Sequence, residues 1–202
     1  MNYLISIFIG YLFGCSSMSF YLSKLHGVDI RSHGSKNLGA SNTMILMGWK
    51  AGILVALHDI LKAALAVILS QMLFPDIPFI GAVAGVASVF GHIFPFYLKF
   101  KGGKGFASYI GMTLALNWKF ALILIMIVAL ITLITDYIVI GTFTTIASVP
   151  LYMGFSNQSY VLSLILLIGT AIILYKHREN IVKLKNGTEI GLRSANRGDH
   201  RQ

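Results

Sequence analysis

Seven consecutive residues, Lys99-Phe100-Lys101-Gly102-Gly103-Lys104-Gly105, carry three cations and three glycines between long apolar runs. Ammonium groups attract phosphate. Glycine adds no side-chain bulk and takes positive φ freely, so backbone N–H groups can approach an anion there. The stretch is not a nucleotide P-loop, because no Gly-x-x-x-x-Gly-Lys-Ser/Thr pattern is present. Alone, it reads equally well as a positive loop that fixes membrane orientation. Two further polar stretches bear on that choice. One runs from His26 to Asn42 and holds Ser35, Asn37, Gly39 and Asn42. The other is a basic tail from Lys176 to Glu189 that holds His177, Asn180, Gly187 and Glu189.

Point charges, amides, hydroxyls and bare N–H groups bind phosphate and hydroxyl groups. Ser35, Asn37, Asn42, Lys104, His177, Asn180 and the glycine backbone supply that set. Metal binding is not expected: His177-Arg178-Glu179 lacks His-Glu-x-x-His spacing, and the sequence has no Asp/Glu cluster. A serine nucleophile has no Gly-x-Ser-x-Gly elbow to sit on. One histidine among basic residues is more often a surface group than a base. Residue types thus lead to an anion site without naming the reaction.

The elements that must position these residues are membrane spans. Of 202 residues, 56% are hydrophobic and 11% charged, and the apolar residues form runs near the ~20 residues that cross a bilayer. The net charge of +9 raises nucleic acid as a partner. We reject it, because the cations flank the apolar runs as the positive-inside rule requires. Cys15 is the only cysteine, so no intrachain disulfide forms. Met1 to Tyr11 lacks the basic start of a signal peptide, so the first run reads as a retained helix.

The periodic apolar stretches predict seven spans, at about 3–25, 48–73, 79–98, 106–116, 120–135, 138–155 and 160–175. Gly10 and Gly14 share a helix face and read as a packing site. Asp59 and Lys62 lie three apart within the second span. They read either as a buried ion pair that fixes packing or as groups beside a polar site. Pro95 should end the third helix just before the Lys99 loop. Residues 1–190 read as one transmembrane domain and 191–202 as a disordered basic tail.

Seven spans put the termini on opposite sides. With the amino terminus outside, 13 of the 16 Lys and Arg fall inside. That orientation also gathers all three polar segments on the cytoplasmic face. The expectation is an all-α integral membrane protein, amino terminus outside and carboxy terminus cytoplasmic.

At the three segments the chain resembles the bacterial acyl-phosphate:glycerol-3-phosphate acyltransferase family, PlsY. The matching stretches are Asp29-Ile30-Arg31 with Gly34 to Asn42, Gly91-His92-Ile93-Phe94-Pro95 with Lys99 to Gly105, and His177 to Ile181 with Asn186 to Glu189. Order and spacing match over about residues 3–190. The resemblance implies a seven-helix multi-pass enzyme of the bacterial cytoplasmic membrane, its site facing the cytoplasm. It implies transfer of a fatty acyl group from acyl phosphate to the 1-hydroxyl of glycerol 3-phosphate, with no cofactor. By the same resemblance Ser35, Lys104, His177 and Asn180 are catalytic. Asn37, Gly39, Asn42, Gly102, Gly103 and Gly105 bind substrate phosphate, and Asp59, Lys62, Gly187 and Glu189 support them.

The chain departs from the family pattern at several points. Lys36 stands where relatives usually carry Gly, Ser41 where they carry Thr, Ile45 where they carry Arg, and Asp136 where an Arg is common. Losing Arg at Ile45 and gaining Asp136 weakens the positive field, and Lys36 is a candidate for compensation. These changes leave a second expectation open: a non-catalytic or transporting binder of anions or lipid phosphates on the same scaffold.

Overall fold

A computed structural model describes residues 1–191, and the expected disordered tail falls almost wholly outside the described residues. The chain is all-helical: α1 Asn2–Cys15, α2 Met18–His26, α3 Ala40–Met47, α4 Trp49–Leu73, α5 Ile80–Ile93, α6 Phe106–Leu116, α7 Trp118–Thr135, α8 Ile138–Ser156, α9 Tyr160–Lys176 and α10 Arg178–Lys185. Five spans are long and apolar enough to cross a bilayer; taking the bent α9–α10 pair as one more makes six. The remaining apolar element, α6, has 11 residues. At 1.5 Å per residue it is about 16 Å long, roughly half the ~30 Å hydrocarbon core.

The first span is not one straight helix. It breaks at Ser16–Ser17, where the Ser17 hydroxyl caps α2 by accepting from Phe20 N–H. A break inside lipid frees carbonyls that water cannot reach. Lys62 Nζ donates to Ser16 O at 2.6 Å and Tyr97 Oη to Cys15 O at 2.8 Å, which satisfies two of them. Asp59 and Lys62 are indeed a buried pair, 2.7 Å apart and only 2% and 5% exposed as residues. Lys62 donates also to His92 Nδ1 at 2.9 Å. The pair therefore ties the broken first span to α4 and α5.

α1 crosses α5 closely at the Gly10 and Gly14 stripe. A Cβ at Gly10 would overlap the Ala84 carbonyl, and one at Gly14 the Ser88 carbonyl. A buried core centred on α5, with Val86, Val89, Tyr109, Met112 and Leu166, holds α5 against α4, α6, α8 and α9. α5 ends at Ile93, as Pro95 requires, and a short 3₁₀ turn at Phe96–Leu98 delivers the Lys99 loop.

Candidate active site

The loop after α2, the loop after α5 and the segment from His177 through α10 to Glu189 meet at one cavity of about 300 Å³. Ser35, Asn37 and Gly39 line it from the first, Lys104 and Gly105 from the second, and His177, Asn180 and Glu189 from the third. Asp59 and His92 reach its floor. The first turns of α3, α6 and α10 also line it, at Ala40 and Ser41, Phe106 and Ala107, and Asn180. Helix starts present unpaired N–H groups and positive dipole ends. Other lining residues are apolar: Ile125 and Val128 from α7, Ile138 and Val139 from α8. The lining therefore combines groups that suit a phosphate with apolar side chains that suit a hydrocarbon chain.

A polar chain runs through that lining. Lys104 Nζ donates to Asn180 Oδ1, and Asn180 Nδ2 donates to Glu189 Oε1 at 2.7 Å. Glu189 Oε2 is buried with no partner among the described residues. Burial lowers the Lys104 ammonium pKa, and the Glu189 carboxylate pulls it part of the way back. His177 ends α9, its ring edge-on to Phe143. His177 Nδ1 lies 2.9 Å from Ile173 O. A carbonyl only accepts, so the proton sits on Nδ1 and Nε2 keeps a lone pair. Burial pushes His177 down to about 4. The imidazole is therefore neutral at physiological pH and able to accept a hydroxyl proton.

That neutrality can be tested directly. Nitrogen-15 NMR of the imidazoles, compared with a His177→Gln variant, should show His177 neutral down to about pH 5 and titrating near pH 4. A His177 resonance that titrates near 6.5 would refute it. The sign agrees for stability. A depressed folded-state pKa contributes stability that is present above the unfolded value of about 6.5 and lost as pH falls toward 4.

Several residues expected here have other work. Asn42 is buried, and its side chain staples the first loop: Ser35 N–H donates to its Oδ1 at 2.7 Å, and its Nδ2 donates to Ile30 O and His33 O. No capacity of its amide nitrogen remains for phosphate. Gly102 and Gly103 do not present free N–H groups, because these donate to Ile93 O and His92 O at 3.0 and 3.1 Å. Neither has positive φ; in that loop Gly105 does, at 90°. Lys62 lies beneath the cavity, and Gly187 forms the turn after α10 without lining it. Lys36 is exposed and also lies off the wall, so it does not stand in for the apolar Ile45, which does line it. Lys183 was missed altogether. It lines the cavity, and its position one turn after Asn180 is the signal that could have found it.

Apolar helices long enough to cross a bilayer, around a cavity lined by both cationic and apolar side chains, define the class as a helical membrane protein with an amphipathic site. Comparison with known proteins is more specific. The family profile described as Glycerol-3-phosphate acyltransferase matches residues 4–187. Glycerol-3-phosphate acyltransferase 1 of Oceanobacillus iheyensis is 37% identical, covering 96% of this chain and 97% of its own. The glycerol-3-phosphate acyltransferase of Lactiplantibacillus plantarum is also 37% identical, covering 94% and 91%. Two crystal structures of PlsY (YgiH), an integral membrane glycerol 3-phosphate acyltransferase, are 31% identical. The glycerol 3-phosphate form superposes with a TM-score of 0.88 over 95% of this chain and 96% of that one. The lysophosphatidic acid form gives 0.85 over 95% of each. The chain belongs to the glycerol-3-phosphate acyltransferase family.

Proposed function

We propose that this chain transfers a fatty acyl group from acyl phosphate to the 1-hydroxyl of glycerol 3-phosphate. The products are lysophosphatidic acid and inorganic phosphate, the first acylation of phospholipid synthesis. The observation that carries this reading is a single cavity lined both by the Lys104, Asn180 and Glu189 chain and by the apolar Ile125, Val128, Ile138 and Val139. A phosphate joined to an alkyl chain matches both kinds of lining. An acyl phosphate is already an activated anhydride, so no enzyme nucleophile is needed. The 1-hydroxyl oxygen attacks the acyl carbon, the bond from that carbon to the phosphate oxygen breaks, and phosphate leaves with the electron pair. The His177 Nε2 lone pair or the donor's own phosphate takes the hydroxyl proton. Lys104 and the helix starts offset the developing negative charge.

Purified protein given acyl phosphate and glycerol 3-phosphate should release phosphate and form a monoacyl product in equal amounts. Binding of both without product would favour the non-catalytic binder instead. Among the described residues no group of three or more His, Cys, Asp or Glu side chains is placed to hold a metal ion, and turnover in chelator should equal turnover without it.

We assign the chain seven membrane segments, α6 being a short one, with the amino terminus outside and the site facing the cytoplasm of the bacterial cell. The support is the cation asymmetry of 13 in 16 together with the apolar helices. Single cysteines at Ser35 and Asn186, in a Cys15→Ala background, should resist an impermeant maleimide on intact cells and react in inverted vesicles. Labelling from outside would overturn the orientation.

A further inference from the structure

We propose that Lys183 holds the phosphate of the soluble acceptor at the mouth of the cavity, while Lys104 serves the donor phosphate further in. The proposal rests on the acyltransfer reading above and assigns each phosphate its own cation. Donor and acceptor together bring two phosphate groups, the phosphomonoester alone carrying close to two negative charges near neutral pH. Only two permanently cationic side chains line the cavity among the described residues, Lys104 and Lys183. The Asp59 carboxylate on the floor is already paired with Lys62. Ile45 adds hydrocarbon to the wall, and Lys36 is exposed away from it. One ammonium cannot balance both phosphates beside the Glu189 carboxylate.

The two lysines differ in what they can reach. Lys104 is half-buried and bound to the buried Asn180, which in turn holds Glu189. The donor's acyl chain takes the apolar side chains of the lining, and its phosphate takes Lys104, the less exposed of the two cations. Lys183 is exposed, and its ammonium has no hydrogen-bond or ion-pair partner among the described residues. Lying three residues after Asn180 on α10, it is on the helix face that Asn180 turns to the cavity. Its backbone is not loose: Lys183 O accepts from Thr188 N–H at 2.8 Å, which also fixes the turn that carries Glu189. A water-soluble acceptor arrives from the exposed side and meets Lys183 first.

The test is steady-state kinetics with each substrate varied in turn, on wild type, Lys183→Ala and Lys183→Arg. For Lys183→Ala, KM for glycerol 3-phosphate should rise by about 10- to 100-fold. KM for acyl phosphate should move by less than about twofold, since that phosphate keeps its cation. Lys183→Arg, which keeps the charge, should recover most of the acceptor affinity. The acceptor KM of wild type should rise with salt, and that of Lys183→Ala should rise less. An unchanged acceptor KM, or a rise confined to the donor, overturns the assignment and leaves the acyltransfer reading standing. Calorimetry with glycerol 3-phosphate alone separates the two ideas. Wild type that binds it and Lys183→Ala that binds it more weakly support the lysine even if no monoacyl product forms. Equal binding by both refutes it.

Discussion

Lys104→Ala should lower kcat/KM by about 30- to 1,000-fold, equivalent to roughly 2–4 kcal/mol of transition-state stabilisation. Lys104 is the less exposed cation of the cavity, and it is already partly stripped of water, since burial lowers its pKa. A charge held in such surroundings acts on phosphate with less screening than one in bulk water. The loss should exceed a missing charge alone, because Asn180 Oδ1 loses the donor that orients it, and Asn180 in turn holds Glu189. Lys99 and Lys101 are the controls. Both are exposed and neither lines the cavity, so their alanine variants should stay within about threefold of wild type. If the three lysines acted only as topological markers, the three variants would behave alike. Kinetics on folded, membrane-inserted protein decides between these outcomes.

The spans were legible because lipid imposes one strong rule: backbone must bond to itself over about 20 apolar residues. Helix α6 was read with its observed bounds, and α7, α8 and α9 to within a residue or two. The short helices α3 and α10, eight residues each, were not read. Neither has the length that makes a helix visible in sequence, and isolated helices of that size are marginal. Helix α3 is set by packing against α4. The Ser16–Ser17 break was hidden for a related reason. Its freed carbonyls are tolerable because Lys62 reaches Ser16 O from 46 positions away and Tyr97 reaches Cys15 O from 82.

The residue types of the site were also legible, and the hydrogen-bond assignments were not. Ser35, Asn37, Lys104, His177 and Asn180 do line one cavity. Asn42 looked like a phosphate ligand because an asparagine in a glycine-rich loop often is one. The structure gives its amide three backbone partners instead. The balance of charge across the cavity was misread in the same way. Lys36 is next to Ser35 in sequence yet does not line the cavity, whereas Lys183, in a basic run that looked like a topological tail, does.

Gly103→Ala should cost about 100-fold in kcat/KM, although it changes no charge and removes no hydrogen bond. From sequence the reason would be a backbone N–H bared to phosphate. In the structure that N–H is spent on His92 O, and Gly103 has no need of positive φ. The demand for glycine comes from crowding. A Cβ there would overlap both His92 Nε2 and the Leu38 carbonyl. His92 is fixed below by Lys62, and Leu38 is buried between Asn37 and Gly39, both of which line the cavity. Neither neighbour can yield as a free side-chain end would. The added methyl must push the Lys104 loop away from the first loop, and a displacement near 1 Å costs about a hundredfold when substrates must be aligned. A pushed loop misplaces both substrates, so the loss should appear mainly in kcat and should not be recovered at high concentrations of either. A loss that saturating glycerol 3-phosphate abolishes would mean that the methyl blocks the acceptor alone. Near wild-type turnover by folded Gly103→Ala would show that the first and second loops are not packed as tightly as this site requires.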